Sequence, residues 1–320
     1  MTRTRRLTLL AFLLVALTLP GSAFGQATRT WVSGTGSDAN PCSRTAPCQT
    51  WAGAISKTAT GGAINNIDPG GFGTINITKS ITLKGRGGLA SILNASTTGI
   101  TINDATSAAG PGTAKVVIHG LDINGVGTGL NGIRIISAKS VRIADTEIYG
   151  NTGTGIMQAP TSSQTRVVIS RSDIHDNTIG VFNAPGNNLI SATSQVLRNS
   201  DVTGNRCGVV VTSFGANSTT PNGNVDCGAA GAGSGISKTA VTGIFGNGIH
   251  DNAFGVFSRG GLAMAEISGN QITGHSSFGL RRLDSGGIRA VTPATNVLLN
   301  NAASDAPSTT TPMVRPAARR

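Results

Sequence analysis

The triplet His175-Asp176-Asn177 lies in the stretch SDIHDNTIGVF, and His250-Asp251-Asn252 lies in IHDNAFGVF, 75 positions later. An imidazole beside a carboxylate can serve as an acid/base pair or take part in a metal site. Other carboxylates stand close by in sequence. Asp122, Glu147, Asp173 and Asp201 each fall one residue before an aliphatic position, and Arg171 and Arg198 precede the last two. Carboxylate pairs of this kind suit a divalent cation that takes oxygen ligands, such as Ca²⁺. An Arg or His next to such a cation is the residue type that takes a proton from a carbon. Phe182 and Phe257 follow the two triplets at the same spacing and offer ring faces for a sugar.

These residues belong to a repeat. Ile118, Ile143, Ile169, Leu197, Ile244 and Ile267 are separated by gaps of 25, 26, 28, 47 and 23. Five residues after each comes Ile123, Ile148, Ile174, Val202, Ile249 or Ile272. Eight after each, the column reads Val126, Asn151, Asn177, Asn205, Asn252 and His275. Glycines follow at 155, 180, 208, 255 and 279, each with an aliphatic behind it. The long gap holds a Gly/Ser/Asn-rich excursion over 213–237. A period near 25 of short strand, bend, strand, Asn turn, Gly and strand is the signature of a solenoid, whose turns bury their apolar faces on one another. The aliphatic columns are predicted to point inward. Asn suits the turn because it tolerates left-handed backbone, and Gly suits positive φ. On this basis four shared residues of each HDN stretch are scaffold: the Ile, the Asn, the Gly and the following Val.

Neighbours along a strand face opposite ways, so the residues flanking each inward Ile face solvent. Asp122, Glu147, Asp173 and Asp201 are then stacked at the strand spacing of ~4.8 Å. Such a column is unfavourable unless offset by Arg134, Arg142, Arg171, Arg198 and Arg206 or by a cation. Asp173 and Asp201, candidate metal ligands, fall near the ~5 Å separation of retaining carboxylates. The column after the Ile reads Asn124, Tyr149, His175, Thr203, His250 and Thr273. It places the two histidines two turns apart, ~10 Å, too far to share one metal. Asp176 and Asp251 are equally far apart. Phe182 and Phe257 follow inward valines, so alternation lets them face outward as platforms for a sugar; packing beneath the 213–237 excursion is the favoured reading.

The rest of the chain frames this solenoid. Residues 1–25 have the layout of a secretory signal peptide: Arg3, Arg5 and Arg6, an apolar run over Leu7–Leu19, and a cut expected after Gly25. Thirteen residues are too few for a helix to cross ~30 Å of hydrocarbon, and no later segment is long and apolar enough. Residues 26–60 form an N-terminal cap region, with a short amphipathic helix predicted over 51–58. The solenoid covers 61–300, and 301–320 is a loose basic tail. Net charge is +11, and +8 without residues 1–25. No Lys/Arg run is interleaved with aromatics, which argues against nucleic acid as a partner. Cys42 and Cys48 flank SRTAP, and Cys207 and Cys227 flank most of the excursion. Local disulfides 42–48 and 207–227 are the simplest pairing; a zinc site is the alternative, but no His or CxxC spacing supports it.

The repeat and its opening, TWAGAISKTATGGAINNIDPGGFGTINITKSITLKG, resemble the right-handed parallel β-helix of the pectin-lyase-like superfamily. The resemblance implies an all-β solenoid with a short capping helix, acting on or binding polysaccharide outside the cytoplasm: secreted, periplasmic or on the cell surface. It transfers no catalytic residue, since Asp-Asp, Gly-His-Gly and Arg-x-Pro-x-x-Arg are absent. Three functions follow as expectations. The first is a non-catalytic monomer that binds polysaccharide or a cell-surface glycan through Asp122, Glu147, His250, Asp251, Phe182 and Phe257. The second is a Ca²⁺-assisted lyase or a glycoside hydrolase for an acidic polysaccharide, with Asp173, Asp201, His175, Arg171 or Arg198 as catalytic candidates. The third is a structural spacer or adhesin.

Overall fold

The computed structural model describes residues 25–85, 90–161, 164–186, 192–214, 227, 238–291 and 296–304. Nearly all of the stretch expected to be a signal peptide, most of the 213–237 excursion and most of the tail lie outside these residues. Among the described residues, every regular element apart from one helix, Trp51–Lys57, is a strand, and every strand pairing is parallel. Ten strands form one sheet. The other sheet has fifteen and two faces, because Leu121–Ser137 and Glu147–Gln158 run through the corner between them. The chain is thus a parallel β-helix whose turns present three walls.

The three aliphatic columns stack as the repeat predicts. Ile118, Ile143, Ile169, Leu197, Ile244 and Ile267 are successive register partners. So are Ile123, Ile148, Ile174, Val202, Ile249 and Ile272. The third column runs from Ile133 through Ile156, Val181, Val209 and Val256 to Leu280. All are buried in one continuous core. The excursion between residues 214 and 238 leaves this register intact, so Leu197 pairs with Ile244 although 47 positions separate them.

The asparagines do more than occupy turns. Asn177 Nδ2 donates to Asn205 Oδ1, His175 O and Ile148 O, and the Asn177 amide donates to Asn205 Oδ1. Asn205 repeats this pattern toward Asn252, Thr203 and Ile174. The ladder therefore points inward and satisfies backbone that bends out of the sheet. The rung before Asn151 is Asn94, which donates to Asn151 Oδ1, and not Val126. The turn at 125–129 carries extra residues, so Asn151 pairs with Gly129 and Val126 is left exposed at φ 53°. A second polar ladder, Thr146, Ser172, Ser200, Asn247, Asn270 and Asn296, lines another corner; the sequence reading missed it.

Positive φ falls elsewhere than on the repeat glycines. Two left-handed corners recur in the turns: Gly150, Asp176, Gly204, Asp251 and Gly274 form one series, and Gly120, Asp145, Arg171, Asn199, Gly246 and Gly269 form the other. Gly180 is required for space instead: a Cβ there would lie 2.8 Å from Gly208 O and 2.9 Å from Val202 Cγ1.

Helix Trp51–Lys57 is capped by Thr50, whose Oγ1 accepts from the Gly53 amide. It packs Trp51 edge-on against Phe72, with centroids 5.3 Å apart. Both local disulfides, Cys42–Cys48 and Cys207–Cys227, are formed. No helix among the described residues is long and apolar enough to cross a membrane.

Candidate functional site

The acidic column stands in the predicted register, Asp122 beside Glu147, Glu147 beside Asp173, and Asp173 beside Asp201. The column after the rung pairs Tyr149 with Asn124 and His175, and His175 with Thr203, which pairs with His250. Because both columns flank the same buried Ile, they lie side by side on the outer face of one wall.

The side chains converge around His175. Its Nε2 lies 3.2 Å from Glu147 Oε1 and its Nδ1 lies 2.9 Å from Asp176 Oδ2. Its ring stacks on Tyr149 with centroids 4.8 Å apart and planes at 8°. The Tyr149 hydroxyl accepts from Asn124 Nδ2 at 3.1 Å and bonds to the Asp122 carboxylate. His250 is a looser counterpart, with Nε2 3.7 Å from Asp201 Oδ1.

The electrostatics follow from this packing. Burial pushes the Asp122 and Asp173 carboxyls up, and neighbouring acids push the same way, Glu147 on Asp122, and Asp201 with Glu147 on Asp173. His175 is desolvated, which opposes its charge, but hydrogen bonds to Asp176 and Glu147 and the charge of Asp173 outweigh this and raise its pKa. Desolvation and the charges of Asp122 and Glu147 hold the Tyr149 hydroxyl in its protonated form. The acidic column thus favours the charged form of the His175 imidazole.

Arg171 and Arg198, the arginines expected to take a proton, are placed elsewhere. Arg171 sits at a left-handed corner and grips Asp145 through Nε and Nη2, both at 2.7 Å, with His119 on the same carboxylate at 2.9 Å. That pairing raises its pKa further and removes it as a base. Arg198 ends the strand Thr193–Arg198 on the other sheet, and among the described residues it forms no ion pair with Asp201. Phe182 and Phe257 are buried to 2% exposure, in an apolar cluster with Cys207, Val210 and Cys227. They offer no ring to a sugar. Cys227 belongs to the excursion, so the rings do pack beneath its described part. Asp251 takes the left-handed corner, two turns from Asp176.

Glu147, Asp173 and His175 each offer one ligand atom, all within 4.8 Å of one another. Asp201, proposed from spacing as the partner of Asp173, is not in this set. The two carboxylates suit Ca²⁺, which takes oxygen ligands; the imidazole suits Mn²⁺ or Zn²⁺. Tyr149, the sole tyrosine of the chain, is the residue that sequence reasoning left out of the site. Its signal was its place in the histidine's column. Beside this cluster a groove of about 410 Å³ runs between turns, lined by Gly127, Gly150, Thr152, Asp176, Thr178 and Arg206.

No protein-family model matches the chain, and no curated protein matches its sequence. Solved structures do match. Pectate lyase Pel9A aligns over 88% of this chain and 79% of its own, at 15% identity and a TM-score of 0.59. An alginate lyase from Paenibacillus sp. str. FPU-7 aligns over 87% of this chain and all of its own, at 15% identity and a TM-score of 0.44. The A-module of the Azotobacter vinelandii mannuronan C-5 epimerase AlgE4 covers 76% of this chain and 87% of its own, at 15% identity and a TM-score of 0.37. The walls, the ladders and the match to Pel9A together establish the parallel β-helix fold of the pectin-lyase-like type.

Proposed function

We propose that the protein is exported and cleaves an acidic polysaccharide by β-elimination on the wall that carries Tyr149 and His175. The stacked pair is the observation that carries this reading. Elimination needs a base for the proton on the carbon next to the sugar carboxylate, and an acid for the departing oxygen. As the C–H bond breaks, its electrons form the new C=C bond, and the C–O bond to the leaving sugar breaks. Neutral His175 takes the carbon-bound proton. Tyr149, kept protonated by its acidic neighbours, gives its proton to the leaving oxygen. Glu147 and Asp173 would hold a divalent cation, which when bound would supply charge neutralisation at the substrate carboxylate and so a more acidic adjacent C–H. Asp122 orients the tyrosine, and Asp176 accepts from Nδ1 of the imidazole, which leaves Nε2 as the nitrogen that takes the proton. Pel9A carries lyase chemistry on this fold, and the two disulfides suit an oxidising compartment, which agrees with export behind a signal peptide.

Binding of a glycan without cleavage is the second reading, favoured by the missing family motifs and by the loss of Arg171 as a base. The burial of Phe182 and Phe257 counts against it. In either reading helix Trp51–Lys57 serves to cover the N-terminal end of the core. The test is incubation with polygalacturonate, alginate and hyaluronan, with and without Ca²⁺, following unsaturated-sugar absorbance. Unsaturated product that disappears in His175→Ala, with the melting curve kept, supports elimination. Binding of these polymers with no product from any of them overturns elimination in favour of the second reading. Neither binding nor product leaves a structural spacer.

A further inference from the structure

The first sheet carries a separate hollow on its outer face, at the end nearest the N-terminus. Its first three strands, Ala27–Val32, Thr58–Asn66 and Ile81–Lys84, alternate buried and outward residues. Thr30, Ile64 and Leu83 point in; Arg29, Trp31, Ala63, Asn65, Thr82 and Lys84 point out. Register sets Trp31 beside Asn65 and Asn65 beside Lys84, and sets Arg29 beside the small Ala63. Arg44 enters from the loop closed by Cys42–Cys48. The hollow measures about 500 Å³.

Its chemistry is one-sided. Arg29, Arg44 and Lys84 line it, and no carboxylate does. Asp68, just beyond the second strand, is taken up by Ser33 Oγ at 2.5 Å and the Gly34 amide at 2.9 Å. Asn65 Nδ2 is buried without a hydrogen-bond partner among the described residues. Three cations lining one hollow and an unmet amide donor call for an acceptor-rich anion. Trp31 is half-buried, with part of its ring left to line the hollow.

We propose that this hollow binds an acidic saccharide. A uronate carboxylate lies among Arg29, Arg44 and Lys84, where guanidinium forks match its geometry. The sugar ring lies on Trp31, and a ring oxygen or hydroxyl accepts from Asn65 Nδ2. Because this wall belongs to the other sheet, the site acts as a hold on polymer apart from the Tyr149–His175 wall, and it does not depend on cleavage.

Tryptophan fluorescence tests this directly. Of the two tryptophans, Trp51 is fully buried, so a ligand-induced change reports on Trp31. The protein is titrated with trigalacturonate in EDTA, with maltotriose as the neutral probe and a short oligothymidylate as a non-sugar polyanion. A saturable change with trigalacturonate is expected, weakened about tenfold or more in Arg44→Ala/Lys84→Ala and weakened by salt. It persists in His175→Ala, so its failure and that of the elimination reading are told apart. These substitutions are on exposed residues; should the double variant melt early, Lys84→Glu alone carries the same expectation. Equal affinity for maltotriose, no effect of the charge variants, or tighter binding of oligothymidylate overturns the proposal.

Discussion

His175 and Tyr149 lie ring on ring across adjacent turns, 4.8 Å between centroids, and each ring's polar edge reaches a carboxylate. The stack holds a base and an acid side by side on a rigid wall. Since the His175 pKa is raised, its base form grows as pH rises through that value. The rate of elimination should therefore climb on the alkaline side of it and fall when Tyr149 loses its proton. Tyr149→Phe should cost about 100-fold or more in kcat, the scale of a lost general acid, with the melting temperature kept. A pH–rate profile on polygalacturonate checks both.

The same shift bears on stability. A His whose folded pKa is raised contributes stability that is fully present below its unfolded pKa of about 6.5 and lost as pH rises through the folded pKa. The melting temperature of the wild type should exceed that of His175→Gln below about pH 6, and the gap should narrow at alkaline pH. Melts across a pH series measure it.

Asp173 should show the opposite sign. Its folded pKa is raised, so the ionised form is disfavoured in the fold. The penalty is absent below the unfolded pKa of about 3.9, grows as pH rises past it and is complete above the folded pKa. Asp173→Asn should then melt higher than the wild type at neutral pH, while lowering the pKa of His175 by removing its charge. Ring-proton NMR titration of His175 reads the second effect. If elimination uses a cation here, the same variant loses activity and Ca²⁺ response while gaining stability.

Asn205→Ala should be costly. The variant loses the donors to Ile174 O, Thr203 O and Asn252 Oδ1, and strands the Asn177 amide groups that use Asn205 Oδ1. At about 1–3 kcal/mol per unmet buried group, a loss of roughly 3–5 kcal/mol is expected, read by denaturant unfolding.

Gly180→Ala should destabilise by about 1–3 kcal/mol, the range for overpacking, although its φ is ordinary. Gly204→Ala should be penalised by backbone as well, since its φ is 64° and a Cβ would lie 2.8 Å from Asp176 Oδ1. Comparing the two by chemical denaturation separates crowding from conformation.

The aliphatic periods made the walls legible, because a parallel ladder leaves a strict column at every turn. Ile174 and Ile249 could be placed by counting alone. The corners were harder. The Asn column slipped at Val126, since the 125–129 turn holds extra residues that hydrophobic spacing does not reveal. The repeat glycines looked like positive-φ positions, but that role belongs to residues such as Asp176, and Gly180 answers to the Asn and Val beneath it. At the site, alternation placed Asp122, Glu147, Asp173 and His175 outward together. It could not show that Arg171 turns away to Asp145, because that depends on the direction of one corner. Nor could alternation show that Phe182 and Phe257 are covered, because the covering Cys227 comes from an excursion outside the repeat.

The parallel ladder has a mechanical consequence. Each turn is bonded only to the turn above and the turn below, so a load applied to the chain ends peels the stack one coil at a time. A coil of 25 residues releases roughly 85 Å of contour when it lets go. The coil from Leu197 to Ile244 spans 47 positions, and the Cys207–Cys227 bridge keeps 20 of them from extending, so that coil gives a step of near-ordinary length until the link is reduced and a longer one afterwards.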